Sequence, residues 1–514
     1  MNTFLAKLLD YYHLSEIDYL ALTKEVNLSN FSNGYSFKDI DKAVDIVNNI
    51  VKENKRILIY GDYDCDGIMG ISILVKMFLY KGINVSYYVP SRYIDGYGLN
   101  VDIAKKCINR FDLVITVDNG IVANEAIDIL KDNNIDVIVI DHHSVQLPLP
   151  NADMIIHPEV STYGDVATSG AYSAFMFSIA YLGYVDKYLA TLAAISLISD
   201  MMPLHKYNRN LLRAVFSSYR DNEFLSISLL ANHQELDENV IAMSIAPKIN
   251  AIGRMITDKS INHIIKYFIS DDKEFILSYF NYMTSINEER KEILKDISKE
   301  LIDLDKESYC YLLDVKEGLI GLLANSVMNN IKKPVIVFTK ANEEYIKGSA
   351  RSVEGFNIVE AFKKLEKYLT QYGGHALAGG CEMKISEYEN FKKDFKSLVD
   401  STEIIIEEKR AIEISINDIS YDNYLYVKSL SPFGEAFKAP IFKINHLKVD
   451  SLSYSRSNEH ILTQIGNNAK IVGFYLAEIV NKYRYIDITG KLSISKYKDK
   501  ITTEFHIDKI TESN

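Results

Sequence analysis

Between residues 56 and 158 the chain alternates five short apolar runs with stretches of helical periodicity, and few architectures accept that order. RILIY (56–60), NVSYYVP (84–90), DLVITVD (112–118), DVIVID (136–141) and ADMIIHP (152–158) read as strands buried on both faces. The segments between them, among them GISILVKMFLYKG and NEAIDILKDNN, read as helices. Parallel strands need crossover connections and helices supply them, so the alternation predicts an α/β fold with a doubly wound parallel sheet.

The remaining chain divides by pattern. A length of 514 residues predicts two to four domains. Residues 170–300 read as mainly helical and close on NYMTSINEERKEILKDISKE, a polar run expected to bridge to the next domain. A second, smaller α/β unit follows: YCYLLDV (309–315), a helix from about Gly321, PVIVFT (334–339), YIKGSA, and a helix from about Asn357. After residue 410 five short strand-like runs, IFKINHLKV, HILTQIG, AKIVGFY, YIDITGKLSISKY and ITTEFHIDKI, predict a small β-barrel such as an OB-fold.

Composition excludes some classes. Nothing apolar runs for ~18 residues without charge, and the start, MNTFLAKLLDYYHLSEIDYLALTK, places acidic residues where a signal peptide needs an apolar block, so a cytoplasmic protein is expected. Cys65, Cys107, Cys310 and Cys381 show neither CxxC spacing nor a disulfide framework, which suits a reducing compartment. The net charge of −12 is uneven: residues 410–514 hold 14 Lys plus Arg against 12 Asp plus Glu. Work on phosphate then requires metal or a local basic surface to neutralise the site.

In an open α/β sheet ligands gather beyond the carboxyl ends of the strands. Three acidic clusters fall there: GDYDCDG (61–67) with Asp62, Asp64 and Asp66, then Asp118, then Asp141-His142-His143. Five carboxylates and two imidazoles on one edge repel each other unless something positive sits among them. An oxygen-rich set with a few histidines points to Mn²⁺ or Mg²⁺ rather than Zn²⁺, and Gly61 and Gly67 allow the tight backbone path. Each aspartate alone is more often a turn former or helix cap. Asp200, after LATLAAISLIS, reads alone as a helix-end residue and in company as a candidate to complete a two-metal site.

GDYDCDG, VDNG (117–120), DHH (141–143) and SLISDMMPL (196–204) resemble, in order and spacing, the four motifs of the DHH phosphoesterase superfamily. APKINAIGRM (246–255), NEERK (287–291), EGLIGLLA (317–324), KGSARSVEGFNIVEAF (347–362), YGGHALAGG (372–380) and SPFGEAFKAPIF (431–442) extend the likeness to the RecJ family of single-strand-specific exonucleases, from about residue 40 onward. The resemblance implies an N-terminal segment (1–45), a DHH domain (46–280), a bridging helix (281–304), a DHHA1 substrate-binding domain (305–402) and an OB-fold (410–514). It implies 5′ to 3′ hydrolysis of single-stranded DNA to mononucleotides, in repair and recombination, with two Mn²⁺ or Mg²⁺ ions. Asp64, Asp66, Asp118, His142 and Asp200 match the family's metal positions, with Asp118 expected as an exposed, bridging edge ligand. Asp62 and His143 match flanking positions that orient water or contact phosphate. The glycine-dense YGGHALAGG suits close backbone approach to an anion, so Gly373, Gly374 and His375 are candidates for the scissile phosphate, with His375 also catalytic. Ser349, Arg351 and Arg254 are candidates for neighbouring phosphates.

Tyr454, Phe474, Tyr475, Tyr483, Tyr485, Tyr497 and Phe505, interleaved with lysines, would stack single strands where they face water. The resemblance favours a monomer with single-stranded DNA as partner, delivered by a single-strand-binding protein or helicase. Glu435-Ala436-Phe437 departs from the family's usual Gly-Asn after PFG, and the first forty residues carry no family signal. Rival readings are a DHH enzyme for short oligonucleotides or cyclic dinucleotides, a pyrophosphatase of the same superfamily, and a non-enzymatic DNA-binding scaffold. The C-terminal strands, the GGHALAGG run and the complete ligand set weigh against them in turn.

Overall fold

The computed structural model describes residues 3–31, 37–161, 167–304, 308–404, 410–497 and 500–513. The chain forms two compact units: Leu28–Met202 with Val215–Ile406, and Met1–Asn27 with Pro203–Ala214 and Glu407–Asn514.

The larger unit holds the first sheet, of strands β1 (Ile57–Tyr60), β2 (Ser86–Tyr88), β3 (Leu113–Val117), β4 (Asp136–Ile140) and β5 (Met154–Ile156). They pair in the order β2-β1-β3-β4-β5, every pair parallel, as the alternation predicts. β1 and β3 are buried throughout, which is why they read as continuous apolar runs. Helix Cys65–Tyr80 packs against helices Gly170–Leu182 and Lys187–Ser199; covered on all sides, it is apolar nearly all round. On the other face Ile103, Ala104, Ile127 and Leu130 pack with Leu58, Tyr60, Val114 and Val137. In this strand order the direction of winding reverses between β1 and β3, so the crevice for a ligand opens at their carboxyl ends.

The expected bridge is one 32-residue helix, Lys273–Leu304. It begins before 281 because Asp272 caps it, accepting from the N–H groups of Glu274 and Phe275, and KEFILSYF contains no breaker. The second sheet follows: β6 (Cys310–Leu313), β7 (Val335–Lys340), β8 (Tyr345–Arg351), β9 (Leu369–His375) and β10 (Ala378–Lys384), in the order β6-β7-β8-β10-β9. Its first helix runs Glu317–Ile331, earlier than expected, and Asn357 caps the next, Ile358–Lys364. YGGHALAGG is an antiparallel hairpin of β9 and β10, with Gly373 opposite Gly380.

The smaller unit carries a six-stranded sheet in the order β11-β12-β15-β16-β14-β13: β11 (Ile412–Glu413), β12 (Phe442–Lys448), β13 (Ile461–Ile465), β14 (Ala469–Gly473), β15 (Tyr485–Tyr497) and β16 (Lys500–Glu512). All five expected runs form strands, and β11 is added. The first forty residues are not one segment. Helix Thr3–Tyr12 places Phe4 and Leu8 in the core of this sheet, with Phe4 stacked on Phe442 at 5.6 Å, while helix Ile40–Lys52 belongs to the larger unit. The Glu435-Ala436-Phe437 loop takes a left-handed turn at Ala436 (φ 59°), a conformation that Gly or Asn adopts at lower cost. Phe437 lies between Tyr12 and Phe433, with the Arg209 guanidinium 4.5 Å above its ring. Among the described residues no helix is long and apolar enough to cross a membrane.

Candidate active site

The GDYDCDG loop leaves β1 and turns at once into helix Cys65–Tyr80. Asp64 caps that helix, one carboxylate oxygen accepting from the N–H groups of Asp66 (2.9 Å) and Gly67 (3.1 Å). A Cβ on Gly67 would stand 2.6 Å from the Asp62 backbone, so the loop closes only with glycine there. Asp62 is buried beneath it. Asp66 points back to the N-terminus of helix Gly170–Leu182, where the N–H groups of Gly170 and Ala171 donate to it at 2.7 and 2.8 Å. Gly170 passes so close to Asp118 that a Cβ would lie 2.9 Å from its Cα.

Asp118 ends β3 in a left-handed conformation (φ 61°) and is 2% exposed. This corrects the expectation of an exposed edge ligand: the N-terminus of helix Gly170–Leu182 closes over the strand end. The Nε2 atom of His142, beyond β4, lies 3.1 Å from Asp118 and 3.5 Å from both Asp66 and Asp200. Asp141 is a fastener: its carboxylate accepts from the N–H groups of Ile121, His142 and His143 and pairs with His143 Nδ1 at 2.8 Å. The other ring nitrogen of His143 lies 3.0 Å from the Tyr97 hydroxyl.

Three overlapping sets of side chains therefore come within ligand distance: Asp62, Asp64 and Asp118; Asp66, His142 and Asp200; and Asp118, His142 and His143. Their electrostatics show the strain. Burial, with added repulsion from Asp64, drives the Asp62 carboxyl well above its usual range; burial, then Asp66 and Asp64, does the same to Asp118. Asp66 is raised too, by burial first. Burial and then Asp66 and Asp64 push Asp200 up to about 9. Burial lowers His142; at His143 burial is also the largest influence, but the Asp141 hydrogen bond together with the charges of Asp141, Asp200 and Asp66 overcomes it and lifts the imidazole to about 9. Asp62 Oδ1 and Asp200 Oδ2 are buried and have no hydrogen-bond donor. A carboxylate-dominated set with unsatisfied oxygens and one or two imidazoles suits hard divalent cations.

Next to this cluster, in the same unit, a cleft of about 620 Å³ is lined by Arg92, Arg254, Ser349, Arg351 and Gly373, and also by Tyr97. Arg351 donates to Ser349 Oγ at 3.1 Å, and Arg254 to the Gly318 carbonyl at 3.2 Å. Burial first, and then Arg92 and Arg290, lower the Arg254 guanidinium to about 10. The Nε atoms of Arg92 and Arg290 are buried without acceptors. Gly374 and His375 stand exposed on the β9–β10 hairpin, outside the cleft lining, and His375 joins none of the candidate metal sets among the described residues.

Arg92, Tyr97 and Arg290 are the residues sequence reasoning missed. Arg92 and Tyr97 follow β2 in SRYIDGYGLN, at the same strand-end edge as the aspartates, and that position was the available signal.

Comparison with known proteins agrees with this geometry. Residues 56–197 match the DHH family, N-terminal domain; 306–401 the DHHA1 domain; and 411–509 the RecJ OB domain. The single-stranded-DNA-specific exonuclease RecJ of Bacillus subtilis is 26% identical over 499 residues, 92% of this chain. The chain spans 63% of that relative's length. The exonuclease of the same name from Salmonella typhimurium is 26% identical over 521 residues, covering 92% of this chain and 90% of its own. Among solved structures, RecJ of Thermus thermophilus in complex with Mn²⁺ superposes with a TM-score of 0.82 at 20% identity, over 99% of this chain and 78% of its own. An exonuclease RecJ bound to manganese, 26% identical, superposes with a TM-score of 0.62 over 71% of this chain and 96% of its own.

Proposed function

The chain belongs to the RecJ family of the DHH superfamily, and from that membership we propose that it is a metal-dependent exonuclease. It hydrolyses single-stranded DNA from the 5′ end and releases 5′-mononucleotides, in repair and recombination. The observation that carries the reading is the meeting, at Tyr97, of a carboxylate cluster short of cations with a cleft in which Arg92, Arg254, Lys347 and Arg351 outnumber the two carboxylates, Glu317 and Glu382. Asp64, Asp66, Asp118, His142 and Asp200 hold two Mn²⁺ or Mg²⁺ ions. Such ions, once bound, lower the pKa of a water and neutralise charge on the phosphate.

The chain's own groups supply the remainder. Asp62, with a free carboxylate oxygen, holds the attacking water, and Asp141 and Tyr97 fix the His143 ring so that it faces the phosphate. Arg254, Ser349 and Arg351 hold the phosphates, and the backbone of Gly373 and Gly374 with His375 grips the strand along the hairpin edge. Of the aromatics singled out in the C-terminal strands, Phe474 and Tyr475 face water, 57% and 75% exposed, while Phe505 is buried. The Tyr497 side chain lies outside the described residues. These two rings make a stacking platform for the trailing strand. The proposal extends to a cytoplasmic monomer that receives strands from a single-strand-binding protein or a helicase.

The test is a product time course on long single-stranded DNA labelled separately at each end, with Mn²⁺ or with chelator. Release of mononucleotide from the 5′ label first, and only with metal, is expected. Survival of the long strand while di- to tetranucleotides are cut would move the substrate to short oligonucleotides. Because Phe4 and Leu8 share the core of the smaller unit, deleting residues 410–514 would expose them, and the platform is better tested in place. Phe474→Ala with Tyr475→Ala weakens binding to long strands by about 1–3 kcal/mol per lost stack and leaves trinucleotide cleavage unchanged; equal effects on both lengths would refute it.

A further inference from the structure

The first sheet has a second cavity, away from the carboxylates. β2 is its edge strand, and on the face covered by helices Val101–Cys107 and Asn124–Asp132 the covering stops short. Helix Val101–Cys107 has only seven residues, and its buried side chains, Ile103, Ala104 and Cys107, join the core with Leu58 and Tyr60. β2 is left half-covered, and a cavity of about 340 Å³ opens there, within the range of small-molecule sites. The turn Lys259–Asn262 closes one side, pinned by the Asn262 side chain, which accepts from the Val89 N–H and donates to the Val89 carbonyl.

The lining is specific in its chemistry. Tyr60 and Tyr88 lie side by side with parallel rings 5.9 Å apart, and Phe111 adds a third ring. Lys106, Arg110 and Lys259 supply three cations and no residue of the lining is acidic. Lys106, Arg110 and Lys259 are all exposed. The Arg110 guanidinium stands 5.6 Å over the Phe111 ring. Aromatic walls beneath a ring of exposed cations select a planar ring that carries negative charge.

We infer that this cavity binds a mononucleotide, base against Tyr88 and Phe111 and phosphate against Lys106, Arg110 and Lys259, at a site separate from the carboxylate cluster. The preference for an anionic aromatic ligand follows from the lining; the choice of a mononucleotide rests on the exonuclease reading, whose product it is. The test is equilibrium dialysis of deoxyadenosine monophosphate against the full chain in chelator, where no turnover occurs. Two sites are expected. Arg351→Ala removes one, and Lys106→Glu with Arg110→Glu weakens the other by roughly tenfold or more. Ser86→Trp, which narrows the mouth without changing charge, has the same effect on the second site and leaves exonuclease rates at low product unchanged. A single site that survives all the cavity variants overturns the inference, as does equal occupancy by inorganic phosphate or by deoxyadenosine alone. Binding in chelator does not depend on catalysis, so loss of the exonuclease reading and loss of this one are separable.

Discussion

The carboxylate cluster and the arginine cleft are both charged interiors, but they reach that state by different routes. Asp62, Asp66 and Asp118 are held by backbone: turns at strand ends, a glycine with no room for a Cβ, and the N–H groups of one helix. Arg92, Arg254 and Arg351 are held by their own side-chain contacts, Arg92 4.2 Å over the Tyr63 ring, Arg254 on the Gly318 carbonyl and Arg351 on Ser349 and the Ala350 carbonyl, and two buried guanidinium nitrogens in the surroundings have no acceptor. Backbone-held charges cannot move apart when unpaired, so they answer by keeping protons. Guanidinium groups stay charged and wait for an anion. The first region stores its mismatch as raised pKa values, the second as unsatisfied donors.

That contrast sets the order of expected effects. Asp118→Asn keeps a residue that tolerates the left-handed backbone yet removes a carboxylate shared by two ligand sets; exonuclease turnover should fall by roughly a thousandfold, about 4 kcal/mol in the barrier. Its metal-free melting temperature should rise at alkaline pH, where the wild-type Asp118 carboxyl is forced to ionise beside Asp66 and Asp64. Metal-dependent turnover near the wild-type rate would break the assignment.

Arg351→Ala should cost about 2 kcal/mol, roughly thirtyfold in kcat/KM, seen mainly in KM. Stabilisation by inorganic phosphate should vanish in this variant while stabilisation by Mn²⁺ persists. If both responses vanish together, the two regions are one site and the comparison fails.

Mn²⁺ at a hundredfold excess over Kd adds about 2.7 kcal/mol to folding, read as a rise in melting temperature. A carboxyl whose folded pKa is raised, such as Asp200 from 3.8 to about 9, contributes fully below its unfolded value and loses that contribution as pH rises through the folded one. The metal-free protein should therefore lose stability between about pH 4 and pH 9, and the Mn²⁺ shift should grow over the same interval. A pH-independent shift would mean the cluster does not bind the ion.

Tyr97→Phe tests the join. Losing one hydrogen bond to His143 should cost about 1 kcal/mol or less, roughly threefold to sixfold in kcat. An unchanged kcat with a raised KM would place Tyr97 on the cleft side alone.

The parallel sheet was legible because β1, β3 and β4 are covered on both faces, and that leaves continuous apolar runs in the sequence. The aspartates were legible because strand ends converge in such a sheet. The burial of Asp118 was not, since it depends on a helix that begins about fifty residues later and lays its N-terminus over the strand. The hairpin in YGGHALAGG was hidden by its composition: glycine signals a turn, yet here the backbone pairs with β8 and needs no side chains to do so. Arg92 and Tyr97 sit in a loop with no periodicity at all, so only the three-dimensional edge rule could find them.

The helix at Thr3–Tyr12 has a consequence for the order of events at the ribosome. The Lys7 ammonium bonds to the carbonyl of Glu413, 406 residues later, and Phe4 stacks on Phe442. At ~5–20 residues per second the helix emerges about 20–80 s before its partners exist. The larger unit can close in that interval; helix Thr3–Tyr12 cannot, and it travels with its apolar face uncovered until β12 arrives. A chaperone that binds exposed apolar helices would find this segment before its partners exist, and the emergence of β12 would be the signal that releases it.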